Sequence, residues 1–291
     1  MKSRWHEWYM NTWIQTFMRS PYVDFDEINK YDITFVWIPY DAWCSYRKWC
    51  SLAPKYIREY SYRDKVNWDK YYDFDYEKLM ISNNLRICDI WDIHVNPSEF
   101  QFTFDSIENT IKKIRKWSFP LIVGWDHSIA YATIKWCISW INIPKDKIAI
   151  LHFDAHVDIE ESYLDMPKVF HWNPFSSLIN EKIINPENLY TVWLRWLIPS
   201  SYYDYIHDMW IHCFSVKKIR ELWIEKFADD LISRLQVYDW IYISFDIDCL
   251  DPSEVKWTWT PMEWWLYSRE ILYFIKKLNI CLLYTSDAAD E

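Results

Sequence analysis

Leu151-His152-Phe153-Asp154-Ala155-His156-Val157-Asp158 is the stretch whose reading decides the fold. It continues an apolar run, Lys147-Ile148-Ala149-Ile150, that reads as a buried strand. Alternate side chains of a strand share a face, so Asp154, His156 and Asp158 point the same way. Three ionisable groups at the end of an apolar strand are costly to bury unpaired. A bound cation is the simplest compensation, because Mn²⁺, Zn²⁺ and Fe²⁺ accept carboxylate and imidazole ligands. His152 has the same parity but lies deeper, so it reads as a core residue or a support for the ligands.

Two other strand ends repeat the pattern. Trp240-Ile241-Tyr242-Ile243-Ser244-Phe245 reads as a strand and runs into Asp246-Ile247-Asp248, two carboxylates on one face. Leu121-Ile122-Val123-Gly124-Trp125-Asp126-His127-Ser128 ends a strand with an acid and a histidine. Together the three ends offer His127, Asp154, His156, Asp158, Asp246 and Asp248. Six ligands exceed the needs of one small ion with an open position. They suit two divalent ions about 3.5–4 Å apart that share a water. Cys249 points to the opposite face and reads as core, while Asp126 and Asp251 read as groups that hold backbone or ligands. His6, His94, His207 and His212 read as surface or structural.

Runs of apolar residues with strand and helix character alternate along the chain. Strands are expected at 33–38, 85–90, 119–123, 148–153, 188–194, 211–215 and 241–245, and helices at 52–60, 104–117, 128–140, 200–209, 216–235 and 268–278. Residues 61–82 and 159–173 read as loops. This alternation predicts an α/β fold, a central and mainly parallel sheet covered by helices on both faces. Ligands of such sheets gather at the carboxyl ends of the strands, where the acids and histidines fall.

With 291 residues, 51% of them hydrophobic, the chain can build one large α/β domain. A net charge of -10 argues against nucleic acid as the main partner. No apolar run reaches the length of a membrane span, and residues 1–18 lack the apolar core of a signal peptide. The seven cysteines are scattered without a CxxC pair, which fits free thiols in a reducing cytoplasm.

The composition is abnormal in one respect: one Gly against 22 Trp. Ordinary usage of about 7% predicts roughly 20 Gly in a chain of this length. Trp also sits where turns need Gly, as at Trp125, in Trp257-Thr258-Trp259-Thr260-Pro261 and at Trp264-Trp265. We read most of these Trp as Gly in the living protein, as when a UGA codon that the organism reads as Gly is translated as Trp.

Val123-Gly124-Trp125-Asp126-His127-Ser128, Phe153-Asp154-Ala155-His156-Val157-Asp158 and Ser244-Phe245-Asp246-Ile247-Asp248-Cys249-Leu250-Asp251-Pro252 resemble the three motifs of the ureohydrolase (arginase/agmatinase) family. Reading Trp as Gly tightens the match, to Gly-Gly-Asp-His-Ser and to Gly-Thr-Gly-Thr-Pro followed by Gly-Gly-Leu at 257–266. The resemblance implies a three-layer α/β/α fold and a dinuclear Mn²⁺ centre that hydrolyses a small guanidino substrate to urea and an amine. It implies His127, Asp154, Asp158 and Asp246 around one ion and Asp154, His156, Asp246 and Asp248 around the other, with Asp154 and Asp246 bridging. His171 resembles the family's proton-shuttling loop histidine, and Glu270 the glutamate that grips the guanidinium. Asp158 could also aim the attacking water.

The stretch from Asp41 to Trp49 resembles the agmatinase pattern, and Glu160 stands where arginases place an Asn that helps hold the substrate's carboxylate. Both favour agmatine, split to putrescine and urea. Residues 189–226 look arginase-like, so arginase or another guanidino or formimidoyl amide hydrolase is the alternative. An inactive relative and a one-zinc deacetylase-like amidohydrolase are further readings; six ligands count against the second. The resemblance also implies a homo-oligomer, a trimer or hexamer. Residues 1–32 read as an N-terminal extension, 33–280 as the ureohydrolase domain, truncated at its C-terminus, and 281–291 as a tail unlike the family and similar to sequencing-adaptor read-through.

Overall fold

The structure is a computed structural model that describes residues 15–43, 50–62, 72–74, 77–79, 85–161, 168–195, 197–255, 266–278 and 282–287. In chain order its elements are β1 (Ile33–Trp37), α1 (Ala53–Ser61), the short antiparallel pair β2 (Tyr72–Asp73) and β3 (Lys78–Leu79), β4 (Ile87–Asp92), α2 (Phe100–Arg115), β5 (Phe119–Gly124), α3 (Ser128–Ser139) and β6 (Ile148–Phe153). They continue with α4 (Pro174–Asn180), β7 (Leu189–Leu194), α5 (Ser200–Asp208), β8 (His212–Ser215), α6 (Val216–Leu222), α7 (Ile224–Leu235), β9 (Trp240–Phe245), α8 (Ser268–Lys277) and β10 (Leu282–Asp287).

Eight strands form one sheet in the order β4-β1-β5-β10-β9-β6-β7-β8. Every pairing in it is parallel. Strand parity divides the buried residues between two cores. Ile148, Ile150, Trp240 and Tyr242 face one core with Ile107 and Ile111 of α2 and Ile129 and Ile134 of α3. Ala149, Leu151, Phe153, Ile241 and Ile243 face the other with Phe227 and Leu231 of α7 and Phe274 of α8. The expected three layers are therefore present. In α2, Ile107, Ile111 and Ile114 are fully buried at helical spacing, which makes one stripe against the sheet.

The sheet order places the site. From β5 the chain passes to β6, leaving between them two positions that β9 and β10 fill later. That reversal opens a crevice at the carboxyl ends of β5, β9 and β6. Leu282–Asp287, inside the stretch set apart above as a tail, form the strand between β5 and β9. Before the first strand, the backbone of Val23 bonds to Asp89, and Val23 and Ile28 are buried.

The helix expected over 216–235 is two helices. Trp223 breaks it, at φ 63° and ψ 143°. Nine described residues other than Gly have positive φ, and Trp91, Trp193, Trp210 and Trp223 are four of them. A bulky residue rarely accepts that region, which is the normal place of Gly. Trp210 is the sharpest case. The Ile211 N–H bonds to Ile206 O at 3.0 Å and the Trp210 N–H to His207 O at 3.2 Å. This is a Schellman ending, with Trp at the left-handed position that Gly usually fills and with Ile206 and Ile211 packed across it. Lys182 holds the same position after α4, so the motif tolerates other residues. Trp125 and Trp172, also read as Gly, are not among the residues at positive φ. Trp257, Trp259, Trp264 and Trp265 lie outside the described residues.

Candidate metal centre

His127 follows β5 as the residue before α3, Asp154, His156 and Asp158 follow β6, and Asp246 and Asp248 follow β9. All but His156 are at most 5% exposed. His127 Nδ1 lies 2.6 Å from Asp158 Oδ2, 3.3 Å from Asp154 Oδ2 and 3.5 Å from Asp246 Oδ2. His156 Nδ1 lies 2.9 Å from Asp248 Oδ2 and 3.4 Å from Asp154 Oδ1. Among the described residues two groups could hold an ion, one with His127, His152, Asp154 and Asp158 and one with Asp154, His156 and Asp248. Asp154 belongs to both, one carboxylate oxygen to each histidine. Asp246 stands beside the first group, near His127, and its Oδ1 accepts the Asp248 N–H at 2.8 Å.

Burial and mutual repulsion set the charges. Burial, then the Asp154 charge, pushes the Asp158 carboxyl up to about 6. Burial, then Asp248 and Asp154, pushes Asp246 well above the ordinary carboxylate range. Burial and Asp154 raise Asp248 as well. Burial acts upward on Asp154 too, but His152, His127 and His156 outweigh it and hold Asp154 well below its usual value. Four carboxylates crowded out of water around two imidazoles call for positive charge, which divalent cations would supply. The donor set of carboxylate oxygens and imidazole nitrogens fits Mn²⁺ or a similar ion. Asp158 has φ 50°, a conformation that Asp tolerates better than most residues and that turns the chain toward the site.

A polar row lies one step deeper in the sheet. His152 pairs in register with Ser244 of β9 and Thr191 of β7. Ser244 Oγ is 3.1 Å from His127 Nε2. A serine hydroxyl both donates and accepts, so this bond orients the ring in either tautomer, with Nδ1 facing the carboxylates. Sequence reasoning missed Ser244 and Thr191; their only signal is a hydroxyl in an apolar strand, at the parity of the ligands. Asp126 and Cys249 match their expected roles. Asp126 accepts the N–H groups of Trp43 and Ser128 at 2.9 and 3.0 Å, and burial raises it to about 6. Cys249 is buried in the opposite core. His207 is exposed and His212 stacks on Tyr190, while His6 lies outside the described residues.

His171 is 5% exposed and packs against Trp172 in the loop before α4. Burial, then His127 and His156, depresses it to about 3. Glu270 Oε2 accepts the Tyr267 N–H at 2.8 Å and so caps its own helix. It is not in either ligand group. Glu160 N–H bonds to Trp172 O at 2.9 Å, and Glu160 lines a cavity of about 170 Å³ with Glu161, Ser176 and Tyr205. Among the described residues no helix is long and apolar enough to cross a membrane.

A family model described as "Arginase family" matches residues 31–287. The chain is 27% identical over 266 residues to proclavaminate amidinohydrolase of Streptomyces clavuligerus, covering 90% of this chain and 80% of that one. The solved structure of proclavaminate amidinohydrolase superimposes with a TM-score of 0.79 at 24% identity, covering 97% of this chain and 89% of that one. Formimidoylglutamase of Bacillus subtilis is 30% identical over 232 residues, 78% of this chain and 68% of its own length. Mitochondrial agmatinase of Gallus gallus is 30% identical over 186 residues, 62% of this chain and 52% of its own.

Proposed function

The chain belongs to the arginase family, and from that membership we propose that it is a two-Mn²⁺ hydrolase that releases urea from agmatine, leaving putrescine. The observation that carries the choice of agmatine is the acidic cavity formed by the residues that follow Asp158 in the chain. Glu160 and Glu161 both line it. A substrate carboxylate placed there would meet two negative charges at close range, whereas the terminal ammonium of agmatine would be attracted. Arginine and the guanidino acids are therefore disfavoured.

When bound, the two ions would lower the pKa of a shared water and so supply the nucleophile at neutral pH. The remaining work falls to side chains. Asp158 would accept a hydrogen bond from that water and aim it at the guanidinium carbon. Glu270 would hold the planar guanidinium through paired N–H donors, releasing Tyr267 to do so. His171 stays neutral in its buried loop, so it would relay a proton, taking one at one ring nitrogen and giving one from the other to the leaving amine. Ser244 would hold the His127 ring in one orientation. The chain would act in the cytoplasm as a homotrimer or hexamer; a monomeric mass in light scattering would contradict that assembly.

The test is urea release by the Mn²⁺-loaded protein from agmatine, arginine, 3-guanidinopropionate and N-formimidoylglutamate in parallel, with formamide also measured for the last. Agmatine should be preferred by at least tenfold in kcat/KM. Preference for a carboxylate-bearing substrate would contradict the reading of Glu160 and Glu161.

A further inference from the structure

We propose that His152 is a positioning residue that fixes the shared carboxylate of Asp154 from beneath, and so sets the affinity for the ion served by Asp154 Oδ2, the one beside His127, taken below as the second metal ion. The inference rests on the two-ion reading above but not on the choice of substrate.

His152 is fully buried on the face of β6 that carries the ligands, one alternation before Asp154. Its Nε2 lies 2.8 Å from Asp154 Oδ2. Its Nδ1 lies 3.4 Å from the hydroxyl of Thr191. A carboxylate only accepts, so Nε2 carries the hydrogen and donates it; the Thr191 hydroxyl then donates to Nδ1. Both ring nitrogens are thereby engaged. Although His152 is near enough to the first ligand group to be a ligand itself, it has no lone pair left for an ion. The ring cannot swing away either, because Phe175 and His127 pack on it at centroid distances of 4.3 and 5.1 Å.

The other end of the same carboxylate is also held. Asp154 Oδ1 accepts the His156 backbone N–H at 2.5 Å. Asp154 is thus gripped at one oxygen by backbone and at the other by His152. A carboxylate held at both oxygens presents its remaining lone pairs in fixed directions, one toward each ligand group. Without the His152 donor, Oδ2 would lose a buried partner and the carboxylate plane could turn.

The experiment compares the full-length protein with His152→Leu and His152→Gln. The leucine fills the buried site without a donor, and the glutamine amide can reach the position of Nε2. Mn²⁺ binding is followed by calorimetry, and spin coupling between the two ions by EPR. His152→Leu should bind the first Mn²⁺ nearly normally, bind the second about 10–100-fold more weakly and lose the coupled EPR signal at sub-saturating Mn²⁺. His152→Gln should recover at least half of that loss on a logarithmic scale and regain the coupled signal. Unchanged second-site affinity in His152→Leu would overturn the proposal. So would a glutamine variant as weak as the leucine variant at equal melting temperature, since packing and not the donor would then be what matters. Neither readout involves a guanidino compound, so failure of the agmatine assay alone would strike the substrate reading and leave this one standing.

Discussion

His127 Nδ1 and Asp158 Oδ2 stand 2.6 Å apart although they follow β5 and β6, between which two other strands lie in the sheet. Only the carboxyl-end crevice brings those loops together. The same crevice carries Asp246 and Asp248 from β9, and a cation held among these groups would offset their charges.

Asp154 is the residue both ligand groups share. Asp154→Asn keeps the shape but removes the charge that both ions need. It should reduce bound Mn²⁺ to at most one per chain, measured by atomic absorption after gel filtration, and lower urea release by at least about 10³-fold, the loss of roughly 4 kcal/mol of transition-state stabilisation. Two tightly held ions and near-normal turnover in this variant would remove Asp154 from its bridging role.

Mn²⁺ affinity should rise with pH. The ions need ionised carboxylates, and Asp158 is raised to about 6 while Asp246 and Asp248 are raised as well. The sign follows for folding too. A carboxyl raised in the folded state contributes stability that is fully present below its unfolded value of 3.8 and is lost as pH rises through about 6. Metal binding offsets that loss. Calorimetric titration at pH 5 and pH 7 should therefore show binding at least about tenfold weaker at the lower pH, from Asp158 alone. Equal affinity at both would contradict the buried-carboxylate picture.

His171→Ala should leave both ions in place and lower kcat about 10²–10⁴-fold, the usual worth of a positioned acid–base group. Added imidazole should restore part of the rate. Loss of Mn²⁺ in this variant would make His171 a ligand instead.

Trp210→Gly and Trp223→Gly should each stabilise the protein. Relief of the left-handed conformation is worth about 1–2 kcal/mol, and the backbone entropy of Gly takes back about 0.5–1 kcal/mol. Each substitution should thus raise the urea-denaturation midpoint, by roughly 1 kcal/mol of stability. Trp125→Gly, where φ is not positive, serves as the control and should gain nothing from this source. No gain at Trp210 and Trp223 would leave the shortage of Gly without a conformational explanation.

The site was more legible in the sequence than the fold around it. Ligands announce themselves by charge at the end of apolar strands, and parity alone puts Asp154, His156 and Asp158 together. Supporting groups do not: Ser244 and Thr191 are ordinary hydroxyls until the register sets them beside His152 and His127. The seven-residue α4 falls in 174–187, where no element was expected, because Pro174-Phe175-Ser176-Ser177 shows no helical period over so short a span. The break between α6 and α7 was hidden because Trp223 reads as one more apolar residue in a helical pattern, where a Gly would have read as a stop. β10 was hidden by composition, since Leu282-Leu283-Tyr284-Thr285 is a plausible strand followed by residues unlike a family end.

The most direct test of the central claim is urea production from agmatine by the metal-stripped protein as Mn²⁺ is added back. The account predicts no urea without metal, little with one equivalent, and full activity only as the second ion per chain binds, with one putrescine formed for each urea. Full activity at one ion per chain, or two ions bound with no urea from agmatine or any other guanidino compound, would contradict it.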